Sequence, residues 1–137
     1  MEAKNLQLSL KTEWFEMTKA GIKTEDYREI TPRWANRFLL YNGKKLSIEQ
    51  WRVFFITSGV VFLSKIIDKT ISCHSYKITT FEFTINTMTL GYPSKIDADR
   101  ILKLEHKGIE IRTGNPEWGA EPNKLYFVIK HGKIITP

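Results

Sequence analysis

A chain of 137 residues, 42% hydrophobic and 26% charged, has the size and balance of one folded domain that buries a core without metals or disulfides, which excludes a disordered chain. Its single cysteine, Cys73, excludes an intrachain disulfide; with no charged-then-apolar leader at the N-terminus, a reducing cytoplasm is expected. The net charge of +6 and pI near 9.4 make polyanions plausible partners, although an excess of this size also serves solubility alone.

Residues 5 to 10 read as a first strand. Thr12 is expected to cap a helix over Glu13 to Ala20, in which Trp14, Met17 and Thr18 recur at helical spacing and Gly21 is the stop. A strand from Thr24 to Ile30 follows, with Asp26 and Arg28 on one face and Glu25 and Tyr27 on the other. Thr31-Pro32 opens a short helix through Trp34 and Phe38, which Asn42-Gly43-Lys44-Lys45 ends. Ser47-Ile48-Glu49-Gln50 is a capping box for a helix from Ile48 to about Ser58, and Val60 to Ile67 is open between helix and strand. The stretch Trp51 to Ile67 is the most apolar, but at 17 residues with Arg52 and Lys65 inside it falls short of the roughly 20 a membrane span needs. It is expected to be buried instead, and any patch left uncovered to make a homodimer contact.

Strands are expected at Lys77 to Ile85, Ile101 to Glu105, Ile109 to Arg112 and Lys124 to His131, punctuated by Gly91-Tyr92-Pro93, Gly114-Asn115-Pro116 and Gly132-Lys133. Many short strands preceded by helices suggest an α+β fold, a small mixed β-barrel with helices at the rim, in a single domain.

A nucleotide site needs cations for phosphate and aromatics for stacking, and both are concentrated here. Lys11, Trp14, Lys23, Tyr27, Arg28, Arg33 and Trp34 fall within 24 residues. Each has a bland alternative. Arg28 beside Asp26 can be an ion pair bracing the sheet, Trp14 suits a core better than a ligand platform, Trp34 suits either, and Trp118 suits a plug slightly better than a site wall. Tyr92, between Gly91 and Pro93, is an exposed-loop candidate. His74, His106 and His131 are scattered, and adjacent Cys73 and His74 point to opposite faces of a strand, so no metal site or cofactor is expected. No P-loop, Gly-x-Ser-x-Gly or HExxH occurs.

The octapeptide Gly21-Ile22-Lys23-Thr24-Glu25-Asp26-Tyr27-Arg28 and the block Pro116-Glu117-Trp118-Gly119-Ala120 together resemble the ASCH domain family, which is related to PUA domains. The family motif is Gly-x-Lys-x-x-Glu-x-Arg; Gly21, Lys23 and Arg28 match, and Asp26 stands at the glutamate. Leu8-Ser9-Leu10-Lys11 through Arg37 and Ile109 through Ile135 are similar to its bacterial and phage branch, whereas residues 42 to 77 look like an insertion.

The resemblance implies a PUA-like barrel whose cleft binds RNA or a nucleotide, with Lys11, Lys23, Asp26, Arg28, Trp34 and Trp118 at the site. Replacing Lys23 or Arg28 by alanine is then expected to weaken RNA binding and leave the thermal midpoint nearly unchanged. Two alternatives stand beside this. One is a hydrolase of RNA or a modified nucleoside, with Lys23 and Asp26 as the only catalytic candidates. Relatives acting on acylated cytidine carry a threonine nucleophile where Asp26 stands, and Thr24 lies two positions away. The other is a protein-interaction module using the apolar insertion.

Overall fold

The computed structural model describes residues 4–68, 76–93 and 97–135. The fold is mixed α+β. A five-stranded sheet has the order β1-β5-β6-β7-β2, and a two-stranded antiparallel sheet pairs β3 with β4. The strands are β1 (Asn5–Leu10), β2 (Glu25–Glu29), β3 (Leu39–Tyr41), β4 (Ile78–Thr80), β5 (Ile85–Leu90), β6 (Ile101–Thr113) and β7 (Leu125–Ile134). The described helices are α1 (Thr12–Lys19), α2 (Pro32–Phe38), α3 (Ile48–Thr57) and α4 (Gly59–Ile67). β1 runs parallel to β5, and β5 antiparallel to β6.

The residues group into two compact units. The first holds residues 1–26, 82–108 and 129–137, and the second residues 27–81 and 109–128.

In the first unit, Leu6, Leu8 and Leu10 alternate inward along β1, and Phe15 and Thr18 are the buried residues of α1. Trp14 is only half-buried, so the core position expected of it belongs to Phe15 one residue on. Lys11, not Thr12, is the N-cap, and no side chain caps the helix. The helix ends as expected. The amide of Gly21, at φ 78°, reaches the carbonyl of Thr18, and that of Ile22 reaches Met17, a closure that needs the left-handed residue glycine supplies.

β5 carries the sequence Ile-Asn-Thr-Met-Thr-Leu and was not expected as a strand, because Asn86, Thr87, Met88 and Thr89 are all buried and show no alternation. It lies between β1 and β6 with both faces covered, where period-two patterning disappears. The expected strand from Lys77 to Ile85 is accordingly two elements, β4 and the start of β5. Gly132 does not end β7. A Cβ there would meet Lys107 Cε at 2.5 Å and Glu105 Cβ at 3.0 Å, so glycine permits close approach while the strand continues. β6 likewise runs unbroken through both of the strands expected separately.

In the second unit Thr31 caps α2 through the Trp34 amide, and Ser47 with Gln50 forms the expected capping box of α3. α2 stops at Phe38, and the chain passes directly into the unexpected short strand β3. The open segment resolves as helix α4. Trp51, Phe54, Leu63 and Ile66 are buried. Among the described residues no single helix is long and apolar enough to cross a membrane; α3 and α4 pass that test only as a pair, bent by 104°.

Candidate functional site

Each unit contributes one polar cluster built from the expected residues. In the first, the α1 stop delivers Lys23, whose amide donates to the Met17 carbonyl at 3.1 Å, and β2 then points Asp26 inward. Lys23 and Asp26 are only 2% and 6% exposed. Lys23 Nζ lies 3.4 Å from Asp26 Oδ1, donates to the Glu25 carbonyl at 2.6 Å, and sits 5.9 Å from the Trp14 ring centroid. The expected turn cation is therefore a desolvated, paired one. Lys23→Ala would take this buried partner from Asp26, so a loss of stability is predicted in place of the unchanged thermal midpoint.

The same unit brings together two histidines that are 25 residues apart in sequence. Asn86, fully buried on β5, donates from Nδ2 to the Lys130 carbonyl at 3.3 Å and contacts His131 Nδ1 at 2.7 Å; its Oδ1 lies 2.7 Å from His106 Nδ1. A backbone carbonyl only accepts, so it fixes the amide nitrogen on that side, and the rest of the chain follows. His131 Nδ1 accepts and its proton sits on Nε2, while His106 carries its proton on Nδ1.

His131 Nε2 is buried and has no hydrogen-bond partner among the described residues, a cost of roughly 1–3 kcal/mol for an unmatched donor. Its amide donates to the Thr24 carbonyl at 3.0 Å, placing the residue beside the octapeptide. Desolvation lowers the His131 pKa to about 4, opposed by Asp26 and reinforced by Lys23. Burial likewise lowers His106 to about 4.

In the second unit Arg28 and Arg37 lie 5.0 and 5.1 Å from the Trp34 ring centroid, and Trp34 stacks on Phe38 at 5.4 Å. Desolvation and the nearby Arg28 charge both lower the Arg37 pKa. Within its own unit Arg28 packs on an aromatic, and within the first unit Asp26 pairs with Lys23. Tyr27 joins the two sequence blocks: its hydroxyl accepts from the Asn115 amide at 2.8 Å, and its ring packs against Ala120, Tyr126 and Val128. Trp118 is half-buried in a 3-10 turn, and Ala120 fills the core position expected of it as a plug. Lys11 is exposed at the start of α1, and Tyr92 is 93% exposed.

Cys73 and His74 lie outside the described residues, among which no cluster of three or more His, Cys, Asp or Glu side chains could hold a metal. Asn86, His131 and Arg37 were absent from the expected site. Arg37 had a signal, since it stands three residues after Trp34 on one helix face; Asn86 and His131 meet only through strand pairing. No family model, curated protein or solved structure matches the chain.

Proposed function

We propose that the chain is a PUA-like, ASCH-type domain that binds RNA or a nucleotide. The observation that supports this best is the pair of guanidiniums, Arg28 and Arg37, at one indole. Burial first and the neighbouring Arg28 charge second disfavour the Arg37 cation and lower its pKa. Two guanidiniums at one ring suit a phosphate, and Trp34 would offer a base or sugar an aromatic surface. Lys23 and Asp26 form the polar interior beside the motif turn and contribute recognition rather than net charge.

The test is affinity for short single-stranded RNA across a salt series. Arg28→Ala and Arg37→Ala are each expected to weaken binding several-fold and to lower the magnitude of the salt slope by about one, as loss of a phosphate contact does. Slopes equal to wild type in both variants would remove the assignment.

A second reading, hydrolysis at the same residues, draws on the burial of a carboxylate, an ammonium and a neutral imidazole in one unit. Incubation of the protein with labelled RNA and with acylated cytidine separates the two, because binding alone leaves both intact. Turnover that disappears in Asp26→Asn would favour the enzyme.

A further inference from the structure

The group that neither reading uses is the His131 Nε2–H. The amide of Asn86 holds Nδ1 as an acceptor, so the imidazole stays neutral and presents a proton on Nε2. That donor is buried without a protein partner. The acidic Asp26 and Glu25 and the basic Lys23 act on it, so these three groups together supply no net positive charge for an anion to neutralise. A desolvated phosphate is consequently disfavoured here, and an uncharged acceptor is favoured.

We infer that His131 is a specificity-determining residue that donates Nε2–H to an uncharged acceptor on the ligand, a base carbonyl oxygen or an unprotonated ring nitrogen, with Asn86 and His106 as its positioning residues. This rests on the RNA- or nucleotide-binding reading and deepens it. Nε2 is closed to solvent, so this proposal requires the side chains over it to move when the ligand binds. The half-buried Trp14 beside Lys23 gives that rearrangement a fluorescent reporter.

The experiment uses full-length protein labelled with 15N-histidine. Long-range proton–nitrogen correlation is expected to show His131 as the Nε2–H tautomer and His106 as the Nδ1–H tautomer. Adding short single-stranded RNA of mixed sequence should move the His131 Nε2 proton downfield, and inorganic phosphate should leave it in place. His131→Phe should lose roughly tenfold in RNA affinity, about 1.4 kcal/mol, with the salt slope unchanged. His131→Gln, which keeps an N–H donor, should recover most of it.

A His131 signal that RNA does not shift, or an Nδ1–H tautomer, overturns the inference while leaving the arginine assignment standing. Failure of the wild-type chain to bind RNA overturns both. Should His131→Phe fail to fold, the wild-type titration alone decides.

Discussion

Two buried donors, Trp51 Nε1 in the second unit and His131 Nε2 in the first, have no hydrogen-bond partner among the described residues, yet their situations differ. Trp51 is fully buried, with Phe54 edge-on at 5.5 Å and Phe55 at 6.2 Å. A tryptophan buries about 150–250 Å² at roughly 25 cal/mol per Å², or about 4–6 kcal/mol, which exceeds the ~1–3 kcal/mol of one unmatched N–H. His131 has a smaller ring and polar neighbours in Asn86, Lys23 and Asp26, so burial offsets much less. An orphaned donor in an aromatic core is a tolerable cost of packing. One inside a polar network points to function, since stability alone would favour an apolar residue there.

The sharpest way to break this contrast is to remove charge from the first unit and bulk from the second. Asp26→Leu alone should destabilise the protein by about 3–5 kcal/mol, because it leaves the Lys23 ammonium buried without its carboxylate. The double variant Lys23→Met/Asp26→Leu should recover wild-type stability or exceed it, and should weaken RNA binding. Trp51→Ala should cost about 3–5 kcal/mol and have no second-site rescue of this kind. Urea denaturation of the four proteins measures all of this. A double variant as unstable as Asp26→Leu would show that the pair contributes to folding in its own right.

The next effect is pH-dependent and again belongs to the first unit. His131 and His106 have folded pKa values of about 4, below the ordinary 6.5, so between these values the unfolded chain binds more protons. Their contribution is fully present above pH 6.5 and is lost as pH falls toward 4. His131 accounts for about 3 kcal/mol of this and the half-buried His106 for roughly 1–2 kcal/mol more once it is discounted for solvent screening. Asp26, Glu25, Lys23 and His106 are the charged groups acting on His131. Thermal midpoints from pH 7 to 4 should fall in the wild type and flatten in His131→Phe. Equal slopes would mean that the histidines titrate as exposed ones do.

What could be read in the sequence follows the same division between local and long-range order. Caps and stops depend on neighbours within four residues, so Gly21, the Thr31-Pro32 start and the Ser47–Gln50 box were legible. β5 was not, because a strand covered on both faces has no alternation and the run Asn86–Thr87 looks solvated. The octapeptide named Lys23, Asp26 and Arg28, but spacing on a strand could not show that the carboxylate pairs with the lysine of the turn or that the arginine goes to Trp34. The Asn86–His131 contact spans 45 residues and exists only once the sheet has formed.

The smallest effect concerns the apolar helices of the second unit, where sequence led to an expectation of packing plus a residual self-contact. Trp51, Phe54, Leu63 and Ile66 are buried, whereas Val53, Ile56 and Val61 remain 59%, 78% and 60% exposed. Val53 and Ile56 are three residues apart on α3 and share a helix face. Three aliphatic side chains fall well short of the roughly 1,200 Å² of total surface that a stable interface buries. The double variant Val53→Ser/Ile56→Ser should therefore change stability by less than about 0.5 kcal/mol, as surface substitutions do. Sedimentation at micromolar concentration should report a monomer for both proteins. A wild-type dimer that dissociates in the double variant would instead make this helix face a self-association surface, and would reverse the contrast by giving the second unit a binding role of its own.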